Sequence, residues 1–297
     1  MKIFVSLILF SLIGCASQKV STTYKDVEQI KQDDFKAVKQ IRYKKSDDYF
    51  SDVKSEYSKA LNDESLERVY KYDGDVEIKG PLSTITEHCH RKEFQKAKEL
   101  FKRYSKSHLK NPIYWNQVGT CFLLEGNRRK ALLFYNKALS IKSNYAPALN
   151  NLGVMYVNEK DYSRALVAFR RARKSSDFNK TPRFNLANLY LHFGLYDRAI
   201  THANVLYQGS STDVDVLNML GTAHLMSAEP KTAIKFFKKI DSDFLEKAKF
   251  GINYSLALYL AGDKEKSLNQ FGDVDKKMHS QWKNYYQEIG KYIGAIK

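Results

Sequence analysis

The sequence predicts an all-α chain of stacked helical hairpins, and three recurrences predict it. Small residues return every 34 positions at Gly119, Gly153, Ala187, Gly221 and Ser255. A second small set, Ala131, Ala165, Ala199, Ala233 and Ser267, keeps the same step. So do the apolar residues Val118, Leu152, Leu186, Leu220 and Tyr254. A period of this length, held in several registers at once, marks an array in which each repeat is one supersecondary unit. An aromatic at Tyr135, Phe169, Phe237 and Phe271 shares the phase, with Ala203 interrupting it once.

The units run 112–145, 146–179, 180–213, 214–247 and 248–281. A weaker one, 78–111, keeps only Phe94, Ala97, Phe101 and Tyr104. Each unit reads as a helix, a short turn and an antiparallel helix. Pro112, Pro147 and Pro182 open first helices, where a missing N–H costs nothing. Gly126, Gly194 and Gly262 stand just past first helices, as C-terminal caps do. Small residues at the eighth and twentieth positions let the paired helices approach, and large ones fill the space between units. No unit buries its apolar face alone, so stacking is obligatory and the end of the array needs a cap. Residues 282–297 supply one: Trp282, Tyr285, Tyr286, Ile289, Ile293 and Ile296 recur at helical spacing.

Two units carry the pattern most fully, one with Trp115, Val118-Gly119, Phe122, Ala131, Tyr135 and Ala138, the next with Leu149, Leu152-Gly153, Tyr156, Ala165, Phe169 and Ala172. This resembles the tetratricopeptide repeat over residues 78–281. The proline frequent near the repeat end in that family is absent: Ser143, Asp177, Ser211 and Leu245 stand there. The resemblance implies a right-handed superhelical solenoid of about six hairpins with a C-terminal capping helix. It also implies that first helices line a concave groove and second helices the convex side.

The chain opens with Met1-Lys2, an apolar run from Ile3 to Leu12, and Ile13-Gly14-Cys15. The run is too short to cross a hydrocarbon core of about 30 Å as a helix. Leu12-Ile13-Gly14-Cys15 resembles the bacterial lipobox. That resemblance implies a signal peptide at 1–14, acylation of Cys15, and, with Ala16 next, an outer-membrane address on the periplasmic face. Residues 15–45 read as a polar tether. Residues 46–77, with Tyr49, Phe50, Val53, Tyr57 and Leu61, read as a further helical segment. Cys89 and Cys121 fall inside first helices of neighbouring units, and the sequence favours two buried thiols over a disulfide.

Charge is uneven. Residues 16–77 hold 12 Lys/Arg against 14 Asp/Glu, and residues 78–297 hold 36 against 19. The basic field belongs to the repeats and favours anionic partners or surfaces. In an exported chain those are lipids, acidic polymers or an acidic protein, and nucleic acid is not expected. The densest basic run is Arg170-Arg171-Ala172-Arg173-Lys174.

Catalytic motifs are lacking: there is no phosphate loop, nucleophile elbow or His-Glu-x-x-His helix. His88-Cys89-His90 is the nearest metal-like cluster, but neighbours on a helix point about 100° apart, so the three cannot share one ion. No enzyme activity, cofactor or metal is expected. The informative set lies on first helices. Gln117, Asn151, Asn185 and Asn253 occupy the sixth position, and Asn116, Asn150, Asn188 and Asn218 the fifth or ninth. A primary amide can bond both groups of a peptide backbone. Phe184, Leu225, Met226 and Tyr259 add apolar patches. The expectation is a groove for an extended segment of a protein partner, with both monomer and homo-oligomer compatible with the sequence. The lipobox beside about six repeats resembles the pilotin-like lipoproteins of type IV pilus biogenesis. The rival expectations are a structural lipoprotein that binds anionic polymer or lipid, and an adaptor for peptidoglycan hydrolases or proteases.

Overall fold

The computed structural model describes residues 81–175, 180–278 and 280–296. The expectations for Cys15, the tether and the segment 46–77 lie outside them. Among the described residues every regular element is a helix. They form two compact units, 81–186 and 187–296, each taken by itself below.

In the first unit, α1 (Pro81–His90) pairs with α2 (Phe94–Ser105), α3 (Pro112–Leu124) with α4 (Arg128–Ile141), and α5 (Ala146–Asn158) with α6 (Tyr162–Lys174). A single 3₁₀ turn, Lys106–His108, follows α2. Helix α7 (Lys180–His192) contains the division between the units. The second unit continues with α8 (Tyr196–Gly209), α9 (Val214–Met226), α10 (Pro230–Phe237), α11 (Ser242–Leu245), α12 (Ala248–Leu260), α13 (Lys264–Gly272) and α14 (Ser280–Ile293).

The turns between paired helices share one construction. The N–H of Asn127 bonds Phe122 O, that of Asp161 bonds Tyr156 O, and that of Asp263 bonds Leu258 O. This closes the first helix in a Schellman motif, which needs a left-handed residue at the turn. Gly126 and Gly262 provide it at φ 82° and 95°, while Lys92, Lys160 and Ala228 adopt φ near 60° without glycine. The next helix then starts on a side-chain cap: Asn127, Asp161 and Asp263 accept from the backbone N–H three residues on.

The eighth-position glycines are explained by aromatic rings. A Cβ on Gly119 would lie 2.6 Å from the Tyr135 ring, on Gly153 2.4 Å from Phe169, and on Gly221 2.7 Å from Phe237. The third small–large pair departs from this: Ala187 stands at the eighth position and Ala203 at the aromatic one, and both are buried. The loss of a ring is thus matched by an added methyl. The twentieth-position alanines 131, 165, 199 and 233 are all fully buried.

Two features depart from the regular repeat. Helix α10 stops at Phe237, and α11 makes one separate turn before α12. The break is held from the following hairpin, where Gln270 Nε2 donates to Leu245 O at 3.2 Å and Asp275 N donates to Glu246 O at 2.7 Å. Gly251 in α12 admits that backbone, since a Cβ there would lie 2.0 Å from Leu245 O. Second, Cys89 in α1 and Cys121 in α3 form a disulfide across a Cα separation of 5.3 Å. This corrects the expectation of two thiols: the residues sit on successive first helices, and stacking brings their backbones within bonding range.

Helix α14 closes the second unit. Tyr285, Ile289 and Ile293 are buried, and the Tyr286 ring stacks on Phe271 with centroids 4.3 Å apart. Lys283, Asn284, Gln287, Glu288 and Lys291 are exposed, giving the polar outer face that an end cap requires.

Candidate functional site

The amides expected to face an extended chain are bonded to one another. Asn151 Nδ2 donates to Asn116 Oδ1 at 3.1 Å and to Thr120 Oγ1 at 3.1 Å. Asn150 Nδ2 donates to Asn151 Oδ1 at 3.3 Å. One hairpin later, Asn185 Nδ2 donates to Asn150 Oδ1 at 2.9 Å. All four asparagines are buried. The rule behind this ladder is positional: an amide at the sixth position of one first helix donates to the fifth or ninth position of the preceding one. A buried amide left without a partner costs about 1–3 kcal/mol, so the rungs hold successive hairpins together.

The second unit repeats the device. Asn253 Nδ2 donates to Thr222 Oγ1 at 3.1 Å, and Tyr285 of the closing helix donates its hydroxyl proton to Asn253 Oδ1. The tyrosine thus does for the last hairpin what another repeat's amide would do. Thr120, Thr222 and Tyr285 were not singled out from the sequence. Two of them carried a signal, because Thr120 and Thr222 stand at the ninth position of their units.

Three sites fall outside the ladder. Gln117 is fully buried, and among the described residues neither of its side-chain polar atoms has a partner. Met219 replaces the amide at the sixth position of its hairpin and is buried. Asn218, half-buried on α9, has its Oδ1 shielded and without a partner. Phe184 and Asn188 are buried. Tyr259 is half-buried, edge-on to Tyr292 at 5.6 Å, and Lys264 Nζ lies 5.7 Å from its ring. Met226 is also half-buried, and Leu225 is buried.

Ion pairs tie neighbouring hairpins as well. Lys249 Nζ lies 2.6 Å from Asp215 Oδ1, and Lys98 pairs with Glu125. Two histidines at equivalent positions bridge the turn to a glutamate, His88 to Glu93 at 2.6 Å and His224 to Glu229 at 2.7 Å. The hydrogen bond from His88 holds the Glu93 carboxyl below its ordinary range. His88 is therefore engaged within its own hairpin. Among the described residues no group of three His, Cys, Asp or Glu could hold a metal ion. Arg171 Nη2 donates to Ser143 O at 3.1 Å, and burial pulls the Arg171 guanidinium below its ordinary pKa.

Paired helices with glycine-to-ring packing, a common turn and a rung between successive first helices decide the architecture. A family model for the tetratricopeptide repeat matches residues 150–214. The fold is that of the tetratricopeptide repeat. The solved structure of pilF from Pseudomonas aeruginosa superposes with a TM-score of 0.59 at 15% identity, covering 71% of this chain and 94% of that one. PilW, described as a widely conserved type IV pilus biogenesis factor, superposes with a TM-score of 0.55 at 16% identity, covering 71% and 95%. Among curated proteins, anaphase-promoting complex subunit 3 of Schizosaccharomyces pombe is 24% identical over 185 residues. That match takes in 62% of this chain and 27% of the relative's length. Among the described residues no tetratricopeptide helix is long and apolar enough to cross a membrane.

Proposed function

We propose that this chain is a lipid-anchored scaffold on the periplasmic face of a bacterial outer membrane, that it holds protein partners in an envelope assembly, and that it performs no reaction of its own. The observation that carries the scaffold reading is Asn218. The ladder uses amide groups on neighbouring first helices for internal cohesion, but the half-buried side chain of Asn218 takes no part in it and shares α9 with the half-buried Met226. A primary amide outside the ladder suits the backbone of a bound segment, and an apolar side chain on the same helix suits an anchor residue.

The address rests on the lipobox at Cys15 and is supported by the disulfide, since such bonds persist in oxidising compartments. Among envelope machines, a type IV pilus or secretin system is the leading reading, in keeping with the shared fold of pilF and PilW; fold alone does not fix function. Recruitment of peptidoglycan hydrolases or proteases is the rival.

A photo-crosslinking residue placed at Met226, and separately at the exposed Val205 of α8, tests the scaffold in the native envelope. The expected result is discrete protein adducts at Met226 that disappear with Asn218→Ala. The same adducts from both positions, or none at Met226, would overturn it. Cys15→Ala tests the address: acyl labelling and membrane recovery should both be lost, and recovery of an acylated variant would sink the anchor.

A further inference from the structure

The positive charge of the repeats is concentrated in one of the two compact units. Residues 78–186 carry 22 Lys/Arg against 7 Asp/Glu, whereas residues 187–297 carry 14 against 12. The difference is written in the register of the second helices. At the twenty-fifth and twenty-sixth positions stand Lys102-Arg103 on α2, Asn136-Lys137 on α4 and Arg170-Arg171 on α6. The corresponding pairs in the second unit are Asn204-Val205, Lys238-Lys239 and Gly272-Asp273.

Exposure and pairing make the first unit's cations an outward-facing set. Lys102, Arg103, Lys106 and Lys137 are exposed. Arg170 and Arg171 are half-buried, and Arg171 is engaged with Ser143 O. The local carboxylates are largely spoken for: Glu93 pairs with His88 and Lys96, Glu125 with Lys98, and Asp161 with Arg164. Glu99 is exposed on α2. Lys102, Arg103 and Arg171 lie in the last turns of their helices, where the macrodipole already favours positive charge. Their presence there therefore needs no ligand for stability, but their excess over local carboxylates does create an uncompensated field.

We propose that the second helices of residues 94–174 form a docking face for an anionic lipid bilayer, separate from the partner site on the first helices. The occupant is a membrane because the cations recur at one register on three successive second helices. Such a row meets a laterally extended array of phosphates, where each added Lys or Arg strengthens binding. The face would hold the first unit against the bilayer of the anchored chain.

The test uses the full chain with Cys15→Ser, so that no acyl group contributes, sedimented with vesicles of phosphatidylglycerol and phosphatidylcholine or of phosphatidylcholine alone. Binding to the acidic vesicles should exceed binding to the neutral ones and fall as salt is raised. Reversing Lys102, Arg103 and Lys106 to Glu should weaken it at least about tenfold. Reversing Lys238 and Lys239 should change it little. Equal binding to both vesicles, or equal loss from both sets of reversals, would overturn the proposal. Circular dichroism of each variant establishes that the helices persist. Crosslinking at Met226 reports on the partner site independently, so failure of one reading is distinguishable from failure of the other.

Discussion

At the scale of single residues, the array is decided by whether a group has somewhere to go. Gly153 has no room for a methyl, because the Phe169 ring already fills the space. Gly153→Ala should therefore cost about 1–2 kcal/mol, the overpacking penalty outweighing the gain in helix propensity. Urea unfolding measures it, and an unchanged midpoint would contradict the packing. The ladder makes a sharper contrast. Asn151→Ala removes a donor to Asn116 and Thr120 and should cost about 1–3 kcal/mol. Asn218→Ala, outside the ladder, should stay within about 0.5 kcal/mol. Gln117 gives the opposite sign. Its buried amide has no partner among the described residues, so Gln117→Met should stabilise by about 1–2 kcal/mol in the same assay. The glycines were legible as a period, since small size at fixed spacing has one main use. The destination of the amides was not, because an asparagine that binds its neighbour and one that binds a ligand have the same letter.

At the scale of elements, hairpin boundaries follow from chemistry that a sequence displays: proline at the first turn, glycine or a short acidic cap at the connection. The break after α10 was less visible. Its cause lies 25 residues downstream, where Gln270 holds Leu245 O, with Gly251 leaving room for the carbonyl. The Cys89–Cys121 bond was also hidden, since a sequence separation of 32 says nothing about which faces of two helices meet. The bond matters most for the weak first hairpin, whose α1 has 10 residues where α3 has 13. In the chain-entropy model a loop of this size contributes roughly 3–4 kcal/mol. Cys89→Ser with Cys121→Ser should lower the stability of residues 81–124 by about that amount. Hydrogen exchange of α1 and α2 should rise accordingly, while exchange in α12 to α14 stays unchanged. Uniform protection in both forms would contradict a local role for the bond.

At the scale of the whole molecule, burial makes tyrosines of both compact units resist ionisation, most strongly Tyr135 in the first and Tyr285 in the second. Burial pushes both phenols well above their ordinary value near 10. Below that pH they are neutral in folded and unfolded chains alike, so neither state gains. Above it the unfolded chain loses protons that the folded chain must keep, and stability falls with each step in pH. Melting temperatures should hold steady up to pH about 10 and then drop, with Tyr135→Phe and Tyr285→Phe each flattening the decline. A decline of the same slope in both variants would place the cause elsewhere. The repeat count and order were readable over this whole range, because periodicity is a property of the chain as a whole. The division of charge between the units was readable too, once the repeats were aligned in register.

The cross-link also fixes how a mechanical load would travel. Tension entering at residue 81 runs along α1 to Cys89, crosses the sulfur bridge to Cys121, and leaves along α3. Helix α2 and the connection after it hang outside that route. Pulling the oxidised chain should therefore release roughly 110 Å less contour than pulling the reduced one, for the 32 residues short-circuited at about 3.5 Å each. A chain loaded at residue 81 would keep α2 and the connection after it out of the strained path for as long as the bond is intact.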